Sequence, residues 1–269
     1  MHSLDYLRCS IEKASKDRAE ESLPKAILDQ EVIWQQNMNI PIRFKDVTFS
    51  GFKKELQPVA YERAMEFANK IESTDLLAIV LCSESYGTGK THLLVSLMKQ
   101  ISNNIPKAKI SACVFYDRVL DKEQNKWIDI KRRDYYIVKI SPKVKYITEP
   151  DLMSGIRATY DRDSQDTELD YFAGLNRYEL LVIDDVGKVK PRDLSFVQQV
   201  YYRIVEYRYV NLKHIALASN LTGDNLEQFI GGAAASRLSE MTKGKYFVTM
   251  KGQDYRLKNI IKEKNQPVS

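Results

Sequence analysis

Cysteine and histidine are scarce in this sequence, with three of each in 269 residues. The cysteines, Cys9, Cys82 and Cys113, are scattered along the chain and form no C-x-x-C pair. A disulfide framework or a cysteine zinc site is therefore not expected, and we expect a reducing, cytoplasmic setting. The histidines are too dispersed to predict a metal site.

Long apolar runs are also missing. No stretch approaches the roughly 18 apolar residues that a transmembrane helix requires, so no membrane contact is expected. Residues 1–21 are polar and charged and do not have the pattern of a secretory signal. The net charge of +5 is mild and permits contact with nucleic acid without requiring it. With 43% hydrophobic and 29% charged residues, the chain can bury an ordinary core.

Apolar strands alternate with helices through most of the chain, which is typical of a parallel α/β sheet. The first four predicted strands each lead into a helix. The predicted strands are, in chain order, residues 76–81, 144–148, 180–184, 214–219 and 246–250.

Residues 1–40 precede this alternation and are predicted to form a small helical arm. A narrow apolar stripe predicts one helix over 4–21, and Ser22-Leu23-Pro24 predicts a break before a second helix over 25–37. The arm either packs on its own domain or docks a partner, and both interpretations stay open. Residues 39–52 are predicted to be an extended linker.

Residues 108–141 interrupt the alternation. Two β-rich halves flank the polar turn "DKEQN", which predicts a β-hairpin. We expect this hairpin to be an insertion in a second domain that spans residues 41–269.

The stretch "SESYGTGKTH" follows the first predicted strand and is typical of a loop that holds phosphate. Glycines let the backbone approach a phosphate, and the N–H groups at a helix N-terminus bind it. Lys90 would reach the β- and γ-phosphates, and the Thr91 hydroxyl would bind Mg²⁺. The predicted ATP-binding residues are Ser85, Tyr86, Gly87, Thr88, Gly89, Lys90, Thr91 and His92.

Glu84 departs from the usual loop pattern, because it occupies the first position of G-x-x-x-x-G-K-[ST]. A side chain is tolerated at this position if the backbone φ is negative. Its carboxylate must then point away from the phosphates, since like charges in a dry site repel strongly.

Four further residues have the chemistry that hydrolysis of a phosphoanhydride requires. Asp184 ends a strand and can hold Mg²⁺, and Asp185 can orient an attacking water. Asn220 ends the next strand and can sense a γ-phosphate, or it can simply cap a helix. Arg237 follows a run of small residues. It can reach the γ-phosphate of a neighbouring subunit, or it can pair with Glu240 on its own helix.

Two basic stretches with tyrosines are candidates for nucleic-acid contact. "IKRRDYYIVK" contains Arg132, Arg133 and Tyr135, and "SGIRATYDR" contains Arg157. Basic groups neutralise phosphates and exposed tyrosines stack on unpaired bases. The alternative for each residue is a solvated face with tyrosines in the core.

Taken together, these stretches resemble the AAA+ ATPases of the DnaC/IstB-like group, which contains bacterial and phage helicase loaders and related transposition ATPases. The matching stretches are "GTGKTHL", "YITEPDLMSGIRATY", "LLVIDDVGK", "EYRYVNLKHIALASNL", "ASRLSE" and "KGQDYRLKN". The resemblance implies that Lys90 and Thr91 are the Walker A pair, Asp184 and Asp185 the Walker B pair, Asn220 sensor 1 and Arg237 the arginine finger.

The resemblance implies an α/β P-loop NTPase with a parallel sheet flanked by helices and no C-terminal helical lid. Its implied function is that of a helicase loader in DNA replication. Such a loader forms a homo-oligomer, hydrolyses ATP slowly with Mg²⁺ at subunit interfaces, and acts on single-stranded DNA or a replicative helicase. Hydrolysis is expected to be stimulated by the partner or by DNA.

Two alternatives remain at this point. One is a transposition ATPase that assembles on single- or double-stranded DNA and regulates a transposase. The other is a nucleotide-binding adaptor with negligible turnover, which is favoured by Glu84 and by Asp185, a shorter acid than the glutamate of many AAA+ enzymes.

Overall fold

The computed structural model describes residues 11–71, 76–121, 126–140, 143–188, 190–252 and 254–255. These residues divide into two compact units. The smaller unit is formed within residues 1–37 and 105–142, and the larger one within residues 38–104 and 143–269.

The elements follow one another along the chain with short connections. In chain order they are β1 (Ile11–Ala14), α1 (Lys16–Met38), α2 (Pro58–Asn69), β2 (Ala78–Cys82), α3 (Lys90–Asn104), β3 (Ala108–Asp121), β4 (Lys126–Lys139), β5 (Val144–Thr148), α4 (Glu149–Ala158), α5 (Glu168–Asn176), β6 (Leu180–Val186), α6 (Leu194–Val210), β7 (His214–Ser219), α7 (Gly223–Ile230), α8 (Gly232–Met241) and β8 (Phe247–Thr249).

A parallel sheet forms the centre of the larger unit. Its strand order is β5-β6-β7-β2-β8, and each neighbouring pair is parallel. Every residue of β2 and β7 is buried, because helices cover both faces of a parallel sheet. The predicted α/β fold with a parallel sheet flanked by helices is confirmed.

Two sets of helices bury the apolar side chains of this sheet. Helices α4, α6, α7 and α8 share one core with the strands; it includes Ile156, Ile204, Phe229, Leu238 and Ile183. Helices α2 and α3 pack against each other and also contact the sheet.

The strand order determines where the polar loop residues lie. Because β7 is hydrogen-bonded to both β2 and β6, the carboxyl ends of these three strands are neighbours. The register pairs Cys82 and Val186 with Ser219, and it pairs Thr148 with Asp184. The loops that follow β2, β6 and β7 therefore meet at one edge of the sheet.

The smaller unit contains an antiparallel sheet with the order β1-β4-β3. Helix α1 packs on it through a small cluster formed by Ala19, Ala26, Ala108 and Ile137. The buried indole of Trp34 donates a hydrogen bond to the Ile140 carbonyl at 2.8 Å.

The prediction of two N-terminal helices separated by a break is wrong. Helix α1 is continuous through Pro24, and residues 11–14 form a strand. Ala19 and Ala26 lie on either side of the proline and pack in the same cluster, so tertiary packing holds the helix across a residue that lacks an N–H donor. Residues 1–10 lie outside the described residues.

The prediction of an extended linker over residues 39–52 is also wrong. The segment turns through short 3₁₀ helices at Ile42–Phe44 and Phe49–Gly51. The Lys99 ammonium of α3 fixes it by donating to the main-chain oxygens of Phe44 at 3.3 Å, Val47 at 2.9 Å and Lys45.

The division of the chain at residue 40 stays a prediction. The structure adds that the hairpin strands β3 and β4 lie in the same compact unit as β1 and α1. Within the described residues, no helix has the length and apolar character needed to cross a membrane.

The continuous α1 helix can be tested with a pair of proline substitutions. Pro24 lies in the helix interior, whereas Pro58 lies at the start of α2, where a proline is tolerated. Pro24→Ala should restore a helical hydrogen bond and raise the free energy of unfolding by about 1 to 3 kcal/mol, and Pro58→Ala should change it little. Urea unfolding followed by circular dichroism measures both, and destabilisation by Pro24→Ala would argue against a continuous helix.

Candidate nucleotide-binding site

The loop between β2 and α3 has the backbone geometry of a phosphate-binding loop. Gly87 and Gly89 have positive φ values of 64° and 99°, which favour glycine. A Cβ atom at Gly89 would lie 2.7 Å from the Phe52 ring, so no larger residue fits there. The loop runs directly into the N-terminus of α3, where main-chain N–H groups are available to an anion.

Lys90 extends back into this loop. Its side chain is buried, and its ammonium donates to the main-chain oxygens of Ser85 at 3.2 Å and Ser83 at 3.5 Å. It also lies 3.5 Å from the Thr88 hydroxyl oxygen. The positive charge is thus held inside the loop, as the sequence predicts for a lysine that contacts phosphates.

Glu84 does not point into the site. Its backbone φ is negative, and its carboxylate accepts a hydrogen bond of 2.9 Å from the Thr222 hydroxyl beyond β7. Glu84 is exposed and does not line the cleft around the loop. This geometry fulfils the condition under which an acid is tolerated at the first loop position.

Asp184 is buried at the end of β6 and faces the phosphate loop. Its carboxylate accepts hydrogen bonds of 2.8 Å from the Tyr146 hydroxyl and of 2.8 Å from the Asp185 N–H. The Thr91 hydroxyl also bonds to it. Burial raises the pKa of the Asp184 carboxyl, and the hydrogen bonds from Thr91 and Tyr146 oppose that rise.

The residues around Asp184 fit a magnesium ion. Mg²⁺ takes oxygen ligands and usually shares them with phosphates and water. The Thr91 hydroxyl and the Asp184 carboxylate provide two such oxygens beside the phosphate loop. No group of three or more acidic, histidine or cysteine side chains in the described part of the chain could hold a metal by itself. The donor set therefore suits an ion that is shared with a nucleotide.

Asp185 begins a tight turn after the buried carboxylate. Its backbone is in the left-handed region, with φ at 58°, and its side chain forms an ion pair of 2.8 Å with Lys188. The buried carboxylate of Glu149 accepts hydrogen bonds from the N–H groups of Gly187 at 2.6 Å and Lys188 at 3.2 Å. A buried side chain at the start of α4 thus holds the main chain of this turn.

Asn220 lies in the same cleft, at the end of β7. Its N–H donates to the Val186 carbonyl at 3.4 Å, and the Ser219 hydroxyl donates to the same carbonyl at 2.9 Å. These bonds connect the ends of β6 and β7 and bring Asn220 to the site.

Arg237 does not line the cleft. It forms an ion pair with Glu206 of α6, donates to the Ala233 carbonyl at 3.1 Å and lies over the Tyr202 ring. The alternative of a salt bridge with Glu240 is wrong, because that carboxylate accepts a hydrogen bond from Tyr209 at 2.9 Å and Arg237 pairs with Glu206 instead.

A cleft of about 720 Å³ is lined by residues of the phosphate loop and by Asp184, Asp185 and Asn220. Other residues that line this cleft were not predicted from the sequence. Arg43, Phe44 and Phe52 contribute from the segment before α2. The Phe52 ring lies between Tyr61 at 6.0 Å and His92 at 5.1 Å, and His92 contacts the Thr48 carbonyl oxygen at 3.0 Å. The aromatic residues within "FKDVTFSGF" are the signal that could have identified this wall.

The segment after β8 provides a further unpredicted contact. The Tyr255 N–H donates to the Gly87 carbonyl at 3.3 Å, and Tyr255 lines the cleft. A Cβ atom at Gly87 would lie 1.8 Å from a carboxylate oxygen of Asp254. The positive φ of Gly87 favours glycine, and a side chain at this position would also have to displace the Asp254 carboxylate.

The predicted nucleic-acid residues lie in different units. Tyr135 is half-buried against the small cluster beneath α1. Arg157 lies in α4 with its guanidinium 5.5 Å from the Phe196 ring centre. Arg132 and Arg133 belong to β4, but their side chains lie outside the described residues. Their contact with nucleic acid stays a prediction.

Comparison with known proteins identifies two curated relatives from Bacillus subtilis (strain 168). No protein-family model matches the chain. The uncharacterized protein YqaM is 26% identical over 224 residues, which is 80% of this chain and 58% of YqaM. The phage-like element PBSX protein XkdC is 37% identical over 91 residues, 32% of this chain and 34% of XkdC. The chain thus spans less than two thirds of the length of either relative.

Several solved structures resemble this chain in fold, although their sequence identity to it is low. The DnaC helicase loader is 18% identical with a TM-score of 0.55, over 78% of this chain and 100% of DnaC. The DnaI structure is 15% identical with a TM-score of 0.52, over 81% of this chain and 94% of DnaI. The structure of the replication initiator DnaA bound to AMPPCP and single-stranded DNA is 21% identical with a TM-score of 0.52. The match covers 83% of this chain and 56% of the DnaA chain. The chain therefore shares the fold of these solved domains, a parallel α/β sheet flanked by helices.

The geometry of the loop predicts opposite outcomes for two neighbouring substitutions. Lys90→Ala removes a charge-assisted contact to phosphate, worth about 1.5 to 3 kcal/mol, and should weaken ATP binding by about tenfold or more. Glu84→Gly should leave the affinity equal or better, because the Glu84 carboxylate faces Thr222. Titration with a fluorescent ATP analogue measures both. Unchanged binding by the Lys90→Ala protein would show that this loop does not hold the phosphates.

Proposed function

We propose that this protein is an AAA+ ATPase of the DnaC/IstB-like group that acts in DNA replication as a helicase loader. The observation that carries the proposal is the convergence of Lys90, the Thr91–Asp184 pair and Asp185 in one cleft of a domain with the AAA+ fold. Lys90 and Thr91 begin α3, and Asp184 and Asp185 lie near the end of β6. Together these two segments supply a phosphate cradle, a magnesium position and a carboxylate for water.

The residues have distinct roles in the proposed hydrolysis. Lys90 and the N–H groups of the loop bind the phosphates, and Asn220 contributes a polar contact at the γ-phosphate end. Bound Mg²⁺, held by Thr91 and Asp184, would supply positive charge to the phosphate oxygens. Asp185 orients a water whose oxygen bonds to the γ-phosphorus, while the bond to the β–γ bridging oxygen breaks and ADP and phosphate form.

Arg237 supports a shared site between subunits. Its guanidinium lies outside the cleft of its own chain. An arginine that acts on the γ-phosphate from there must act on another copy of the chain, so the proposal includes a homo-oligomer. Its ion pair with Glu206 would hold the side chain until the neighbour docks.

The proposed partners are a replicative helicase and single-stranded DNA, and the proposed location is the cytoplasm. They rest on the fold that the chain shares with a helicase loader and with an initiator solved on single-stranded DNA. The helical N-terminal arm is the proposed docking element for the partner. The alternative of a transposition ATPase stays a prediction.

One observation favours the adaptor with negligible turnover as a second candidate. Asp185 is paired with Lys188 at 2.8 Å, and a paired carboxylate is less available to orient water. The two candidates differ in turnover and not in nucleotide binding.

A phosphate-release assay separates these candidates. A loader should release phosphate slowly by itself and faster with single-stranded DNA or a replicative helicase, since either partner would order the shared sites. The Lys90→Ala protein is the matched control and should release none above background. ATP binding without release under any of these conditions would leave the adaptor as the function.

The position of Arg237 predicts that two inactive variants complement each other. Loss of an arginine finger costs on the order of 10³-fold or more in rate, whereas ATP binding by the isolated protomer should barely change. When Arg237→Ala and Lys90→Ala proteins are mixed, some interfaces combine the intact phosphate loop of one subunit with the intact Arg237 of the other. Phosphate release should therefore partly recover. If mixed assemblies form but stay inactive, Arg237 does not act across the interface.

A further inference from the structure

Lys188 is one of three lysines that line the cleft, with Lys53 and Lys90, and the mechanism above gives it no role toward the nucleotide. It lines the same cleft as Lys90 and Thr91. Its ammonium lies 2.8 Å from the Asp185 carboxylate, and 56% of its side chain remains exposed. The head group therefore lies at the water side of the site, beside the acid that orients water.

The main chain beneath Lys188 is fixed by hydrogen bonding to a buried carboxylate, whereas its side chain is held by an ion pair at the surface. The buried Glu149 carboxylate holds the N–H groups of Gly187 and Lys188, and the Lys188 N–H also lies 3.0 Å from the Asp185 carbonyl. Gly187 has φ at 84°, and a Cβ atom there would lie 2.5 Å from Leu221. A flexible four-carbon stem thus rises from a rigid turn and can move its charge without moving the backbone.

The present partner of Lys188 is easily displaced. Ion pairs between partly exposed side chains contribute little to stability, and here 56% of the lysine and 34% of the aspartate side chain are exposed. A γ-phosphate carries more negative charge than one carboxylate and binds cations through stronger, charge-assisted hydrogen bonds. A nucleotide with a γ-phosphate can therefore compete for Lys188, whereas a diphosphate lacks the competing group.

We propose that Lys188 contacts the γ-phosphate and distinguishes ATP from ADP, leaving Asp185 free to orient water only when ATP is bound. This inference rests on the proposed ATPase function. On this inference the ion pair between Lys188 and Asp185 opens when a γ-phosphate binds, so the pairing is compatible with an ATPase.

Removal of Lys188 alone has two effects that must be separated. It deletes the proposed contact. It also leaves the Asp185 carboxylate without its cation, and the unpaired carboxylate would repel a γ-phosphate. The comparison is therefore made in an Asp185→Asn background, where the second effect is absent. Lys190 is exposed and does not line the cleft, so Lys190→Gln is the matched control for loss of one positive charge.

The experiment measures dissociation constants for Mg²⁺–AMPPCP and Mg²⁺–ADP by calorimetry. Asp185→Asn/Lys188→Gln should bind AMPPCP about tenfold more weakly than Asp185→Asn, as expected for loss of one charge-assisted hydrogen bond, and ADP equally well. Asp185→Asn/Lys188→Arg should retain most of the AMPPCP affinity, and Asp185→Asn/Lys190→Gln should retain all of it.

The outcomes separate this inference from the proposed function. Equal AMPPCP affinity with and without Lys188 in the Asp185→Asn background overturns the inference, as does an equal loss for both nucleotides. If the wild-type protein binds neither nucleotide, the proposed function itself fails. Circular dichroism of each variant shows whether it is folded. If Asp185→Asn/Lys188→Gln is not folded, Asp185→Asn/Lys188→Met removes the same charge and is measured in its place.

Discussion

The buried carboxylate of Asp184 is the interaction on which the rest of the site depends. It joins three elements: Tyr146 of β5, Thr91 of α3 and the start of the turn after β6. A carboxylate removed from water must have its oxygens satisfied, so these hydrogen bonds are obligatory. Burial beside Asp184 also raises the pKa of the Tyr146 hydroxyl, which remains a neutral donor. The strand ends are thereby held at the spacing that the phosphate loop requires.

Around this centre, the site is closed by chain segments that are distant in sequence. Lys99 binds three carbonyl oxygens of the segment before α2, and this places Phe52 beside the loop. On the other side, the Gln57 amide donates to the Lys251 carbonyl at 2.5 Å, and Tyr255 bonds to Gly87. Both segments meet glycines of the phosphate loop, so the loop is enclosed by residues that precede and follow the sheet strands.

Two lysine–acceptor sets supply part of the charge of the cleft, which Arg43 and Lys53 also line. Lys90 is held by main-chain oxygens within the loop, and Lys188 is held by a carboxylate on the exposed side of the site. Lys90 is buried and belongs to the structure of the loop itself. Lys188 is exposed, so its ammonium can exchange Asp185 for another negatively charged partner.

The sequence by itself determined the parallel α/β class, the phosphate loop and the two acids near the end of β6. These features have local signals: the glycines of a loop, an apolar run and a helix start after a loop can each be identified from adjacent residues. Only the tertiary structure decided that Pro24 lies within a helix, that Phe44 and Phe52 line the cleft, and that Arg237 pairs with Glu206. Each of those depends on contacts between residues far apart in the chain, and such contacts form only when packing energy outweighs the local preference.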